Sequence, residues 1–241
     1  MQATEKANAD QKVFEEARDY ARRRAETDGL AEKPKYDPRL EALAPYARGE
    51  KKVALYADNA QTILFALRFA REQRLQAVIF GAREGWKVAD ALARERVPVV
   101  VGPVLTLPGS RFDPFDSAYA NAAVLARAGV PFAIMSDDPE NARNLAFHAA
   151  MACAYGLPHE EAVRAVTYYA ARVLGVEKEL GSLAPGKIAD LVVTDGDLLE
   201  IRSRVEQLYV DGRPLPLTNR QTELYDEYRA RLERLQAAAK R

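Results

Sequence analysis

Apolar residues change period several times along this chain, and the changes set the elements to expect. Residues 10–27 carry Val13, Phe14, Ala17, Tyr20 and Ala21 at helical spacing, which predicts an amphipathic helix. From Asp28 to Lys52 the chain is rich in proline, glycine and charge, and Tyr36, Asp37 and Pro38 mark a turn or extended connection. A regular alternation follows. Short apolar runs at Val53–Tyr56, Ala77–Phe80, Val97–Val101 and Pro131–Met135 read as buried strands. Residues 59–73, 84–96, 117–128 and 140–155 read as helices, the first with Ile63, Leu64, Leu67 and Ala70 on one face. A loop from Gly102 to Asp116 separates the third strand from its helix.

Strand–helix pairs with such short connections predict right-handed βαβ units on a parallel sheet. A closed barrel needs eight units. Period alone therefore leaves two architectures open, a part of a barrel or a small open doubly wound sheet. Beyond Gly156 the texture changes to short helices over 158–167 and 169–174. Two strands follow, Ala189–Val193 and Val205–Val210, then a hairpin-type turn at Asp211 and Gly212, and a final charged helix from about Asn219.

Composition narrows the partners. Lys plus Arg and Asp plus Glu are balanced at 35 each, so there is no electrostatic case for nucleic acid or an anionic membrane, and a small, near-neutral substrate is favoured. No apolar run reaches the length of a membrane span. The first residues are polar and lack a signal-peptide core, so with Met1 as the start the chain is expected to be cytoplasmic. The single cysteine, Cys153, lies in an apolar, alanine-rich helical run and reads as a packing residue.

A resemblance then adds to this reading. The run from Gly156 to Asp197 resembles the end of metal-dependent amidohydrolases. Its LGSLAPGKIADLVV stretch, Leu180 to Val193, matches that family's Leu-Gly-Ser-Leu/Ile-x-Pro-Gly-Lys-x-Ala-Asp-Leu/Val-Val segment nearly residue for residue. Upstream, AGVPFAIMSDD from Ala128 to Asp138 resembles the eighth barrel strand ending in the family's acidic residue. In order and spacing the resemblance covers Val53 to Leu215 and looks closest to the imidazolonepropionase/prolidase-like branch. It implies an α/β fold: the C-terminal half of a (β/α)8 TIM-like barrel, strands five to eight, plus a small β-sandwich segment and a C-terminal helix. The expected divisions are 1–52 (N-terminal helix and connection), 53–175 (partial barrel), 176–215 (β-sandwich segment) and 216–241 (C-terminal helix). Gly186 is expected to supply a positive-φ turn, with no catalytic role for Lys187.

The resemblance also implies chemistry. Amidohydrolases of this kind hydrolyse carbon–nitrogen bonds other than ordinary peptide bonds, using one or two divalent ions, zinc or manganese, to activate water and polarise the substrate. Their ligands lie at strand C-termini. Asp137 fits the strand-eight position, as a metal ligand or as the acid/base group that takes the proton of the attacking water. The alternative is a helix cap, because Ser136, Asp137 and Asp138 all suit a helix start near Pro139. Where strands five and six should end in histidine, this chain has Tyr56 and then Phe80 or Gly81. Phenylalanine cannot ligate, and tyrosine must first deprotonate. The strand-one His-x-His has no counterpart. Both histidines, His148 and His159, read as structural or exposed.

Asp58, Asn59, Arg83 and Glu84 follow the first two predicted strands and are candidates to bind a polar substrate, as are Asp113 and Asp116 in the next loop. Capping and turn roles are the alternative for each. Two functions stay open: a hydrolase that needs an N-terminal half absent here, or a non-catalytic scaffold or binding module that has lost its metal-ligand histidines. Because half a barrel exposes strand edges and apolar faces, self-association or pairing with a complementary barrel half is expected.

Overall fold

The structure, a computed structural model, describes residues 2–26 and 34–239, with side chains from residue 11 onward. It divides between Ser182 and Leu183 into two compact units.

The first unit opens with α1 (Gln2–Ala25), which begins well before the predicted residue 10 and buries Ala17, Tyr20 and Ala21. Thr27, at the predicted end of that helix, and the connection before residue 34 lie outside the described residues. The rest of the expected connection is not all extended, since Pro38–Ala47 forms a second helix, α2. Proline is tolerated at the first helical position, where its missing N–H is an orphan anyway. Asp37, held in the extended region before Pro38, caps the helix by accepting from the amides of Arg39 and Leu40. Arg18 of α1 donates to the carbonyls of Ala47 and Gln73, joining α1 to the end of α2 and to a segment further along the chain.

Four strands then form a parallel sheet in sequence order: β1 (Lys52–Ala57), β2 (Gln76–Gly81), β3 (Val99–Val101) and β4 (Phe132–Ile134). Each lies within the predicted run or within a residue or two of it, because β-branched and apolar clusters mark buried strands sharply. The intervening helices are α3 (Ala60–Glu72), α4 (Ala89–Glu95) and α5 (Ser117–Arg127). Ile63, Leu67 and Ala70 of α3 are buried as expected, whereas Leu64 is 46% exposed at the edge of that stripe. Two predicted helices are shorter than the spacing suggested. They open as 3-10 turns, Gly85–Lys87 before α4 and Pro139–Asn144 before α6 (Leu145–Ala154), the latter capped by Asp138 on the Glu140 amide.

Strand alternation sends Val78, Val100 and Ala133 to one face, where they cluster with Val173 and pack against Phe80, Met135 and Ala170. Val173 and Ala170 come from α8 (Tyr168–Leu174), which follows α7 (His159–Ala165). At the far edge of the same sheet Lys52 donates to the carbonyls of Arg172 and Val173 at the end of α8. Ile79, Val99 and Val101, on the opposite face, are almost fully sealed from solvent. Tyr56 of β1 is 74% exposed, its ring tilted against Phe80 at 5.5 Å between centroids.

The second unit is an antiparallel sheet of β5 (Leu191–Thr194), β6 (Val205–Val210) and β7 (Arg213–Leu215), followed by α9 (Arg220–Ala239). Asp211 and Gly212, both at positive φ, make the expected two-residue hairpin turn. Gly186 adopts the expected positive φ of 87°.

Candidate functional site

In parallel sheets the loops beyond the strand C-termini are where chemistry is built, and here those loops converge on Arg83. β2 ends in two successive positive-φ residues, Gly81 and Ala82, which turn the chain abruptly into Arg83. A Cβ on Gly81 would stand 2.3 Å from Asp58 Oδ1, so only glycine lets the Asp58 carboxylate lie over this strand end. Arg83 Nε is 3.9 Å from Asp58 Oδ1, beyond β1, and Nη2 is 3.9 Å from Asp137 Oδ2, beyond β4. The three side chains are 58% (Asp58), 40% (Arg83) and 38% (Asp137) exposed, so they face a solvent-accessible mouth. Asp137 holds a left-handed backbone, φ 68°, an unfavourable state for a residue with a Cβ. The neighbouring Asp138 serves as the cap of the following turn.

The turn that carries Arg83 is fixed from below. Asn121, buried on α5, donates its amide to the carbonyls of Ala82 and Arg83 at 2.8 and 3.2 Å. The Ala82 amide donates to Ala57 O and the Glu84 amide to Asp58 O, lacing the two turns together. Asn59 caps α3 by accepting from the Thr62 amide. The Glu84 carboxylate accepts from the Ala60 amide and pairs with Lys87, which also pairs with Asp113 at 2.7 Å. The Lys87 ammonium, then the Ala60 amide, hold the Glu84 carboxyl below the usual glutamate range. Asp113 and Glu84 in turn raise the Lys87 ammonium. Asp58, Arg83 and Asp137 are thus brought together, while Asn59 and Glu84 spend hydrogen bonds on the start of α3. Asp116 directly precedes α5 and makes no side-chain cap bond there.

His148 is buried on α6, and its Nδ1 accepts from the amides of Val104 and Leu105 at 3.0 and 3.3 Å. It organises the loop after β3. Exposed His159 opens α7. Cys153 is partly buried on α6. Asn121 and Lys87 escaped the sequence reading. The only signal for Asn121 was a lone carboxamide in the small-residue helix SAYANAAVLAR.

A divalent ion does not fit the side chains present. Among the described residues no three His, Cys, Asp or Glu side chains converge to hold one. The nearest carboxylates, Asp58 and Asp137, face a guanidinium. Tyr56 and Phe80 occupy the ends of β1 and β2, with their rings against each other.

Comparison with known proteins bears on the same segments. A sequence model of the amidohydrolase family matches residues 114–218. The imidazolonepropionase of Legionella pneumophila is 34% identical over 114 residues, 46% of this chain and 27% of that protein. The imidazolonepropionase of Pseudomonas paraeruginosa is 32% identical over 170 residues, 68% of this chain and 39% of that protein. The crystal structure of an amidohydrolase from Thermotoga maritima superposes with a TM-score of 0.75 at 31% identity, over 87% of this chain and 55% of that one. The chain thus spans about a quarter to two-fifths of the length of these curated relatives and about half of that structure. With a parallel sheet that superposes on a solved amidohydrolase, and with the Leu180–Val193 segment inside the matched region, the chain belongs to the amidohydrolase superfamily, in its imidazolonepropionase/prolidase-like branch.

Proposed function

We propose that this chain is one part of a hydrolase that cleaves carbon–nitrogen bonds, other than ordinary peptide bonds, in a small substrate. β1 to β4 would be strands five to eight of a (β/α)8 barrel, completed by a complementary half. The β5–β7 segment would be its share of a flanking β-sandwich. The observation that carries this reading is the placement of Asp137. A carboxylate within the family-matched segment sits beyond β4 in a left-handed backbone, beside Arg83 and open to solvent. Asp137 would take the proton of the attacking water and return it to the departing nitrogen. Asp58 and Arg83 would face the substrate, with Asn59 and Glu84 shaping its rim.

Tyr56 and Phe80 favour a second reading, a non-catalytic scaffold or binding module, because phenylalanine cannot ligate and tyrosine does so only once deprotonated. Assaying the purified chain against small acyl amides, cyclic amides and ureas, with release of amine as the signal, separates the two. The hydrolase reading expects turnover that falls roughly 100-fold or more in Asp137→Asn. Turnover indifferent to that substitution removes Asp137 from the role, and no turnover in any assembly state leaves the scaffold.

A further inference from the structure

The misfit between the strand-end residues and a divalent ion has a positive counterpart. We infer that Arg83 is the fixed cation of this face, occupying between Asp58 and Asp137 the electrostatic place of a divalent ion. Two carboxylates from opposite edges of the sheet, one after β1 and one after β4, reach the same guanidinium, Asp58 through Nε and Asp137 through Nη2. Both distances are 3.9 Å, long enough for charge pairing and too long for hydrogen bonds. Among the described residues no acceptor lies within hydrogen-bond reach of the guanidinium, so its N–H groups remain available to a ligand oxygen. A carbonyl or carboxylate oxygen is the chemistry they would recognise.

The arrangement is built rather than incidental. Gly81 makes room for Asp58, and buried Asn121 holds the peptide carbonyls on either side of the Arg83 Cα. The guanidinium supplies a positive charge that needs no loading. That charge lies within 4 Å of both carboxylates and would repel a metal ion approaching either.

The claim is tested by metal binding to the full chain and does not depend on catalysis. Zn²⁺ and Mn²⁺ are titrated calorimetrically into the native protein and into Arg83→Gln, Arg83→Lys and Arg83→Gln/Asp137→Asn, each checked for native circular dichroism. The native protein and Arg83→Lys, which keep a cation in place, should bind weakly. Arg83→Gln should bind at least roughly tenfold more tightly once two carboxylates share an unoccupied gap, and the double variant should lose that gain. Tight, stoichiometric metal in the native protein that disappears in Asp137→Asn would overturn the inference. No gain in Arg83→Gln, or a gain that survives loss of Asp137, would overturn it equally.

Discussion

The imidazole of His148 receives two backbone amides on Nδ1, an arrangement only the neutral ring can accept. Burial pushes its pKa below the ordinary 6.5. The sign follows from proton binding. Below about 6.5 the unfolded chain takes a proton that the folded chain refuses, so stability is full above that pH and falls as the pH drops through it. Urea midpoints from pH 8 to 5.5 should therefore decline in the native protein and lose that component in His148→Ala. At pH 7.5 the same variant should be less stable by about 2–4 kcal/mol, since two buried N–H groups lose their acceptor and the side chain leaves a void. A flat native profile would contradict this. The sequence read His148 as structural or exposed, and nothing local pointed to its partners, which lie 43 and 44 residues earlier in a loop. Arg83 was legible only as a polar residue after a strand. Its role between two carboxylates depends on sheet order, which brings the ends of β1, β2 and β4 to one mouth.

At the scale of elements, the strands were readable, as were the starts of α3 and α5, whereas those of α1, α2, α4 and α6 were not. Runs such as VPVVV concentrate β-branched residues that pack on a pleated surface, so they announce themselves. Helix entries depend instead on caps and proline chemistry. Pro38 read as a breaker, yet with Asp37 before it the same residue starts α2. Asn59 was a substrate candidate with capping as the alternative, and its carboxamide accepts from the Thr62 amide at 2.9 Å. Asn59→Ala should cost about 1 kcal/mol in thermal or urea unfolding. A loss near zero would show that the cap bond contributes little, and would return Asn59 to the substrate.

For the molecule as a whole, the chief fact is apolar surface without cover. Parallel sheets are ordinarily buried on both faces, yet in the first unit β1 and β4 are both edges and Tyr56 is 74% exposed. Leu107, Phe112 and Phe115 in the loop after β3 are 79%, 81% and 74% exposed. In the second unit, separately, Val192 and Val205 on the sheet and Tyr225, Tyr228, Leu232 and Leu235 on α9 are open to solvent. Exposed apolar surface and open strand edges of this kind commonly mark interaction sites. Sedimentation velocity over a rising concentration series should show a dimer or larger species that grows with concentration, and a monomer that persists throughout would count against a complementary half. Sequence alone left open a part of a barrel or a small open sheet, since four strand–helix pairs fall short of the eight a barrel needs. It gave no measure of which faces would be bare, because α8 folds back to cover part of one.

One residue at the mouth offers its own reporter. Trp86, the sole tryptophan of the chain, lies three residues after Arg83, with the Lys87 ammonium 5.1 Å from its ring. That same ammonium bridges Glu84 and Asp113. Any molecule that settles on the Arg83 turn and disturbs these pairs changes the charge beside the indole. The intensity and colour of ultraviolet emission from unlabelled protein can then follow occupancy in real time, without a dye, an isotope or knowledge of the reaction.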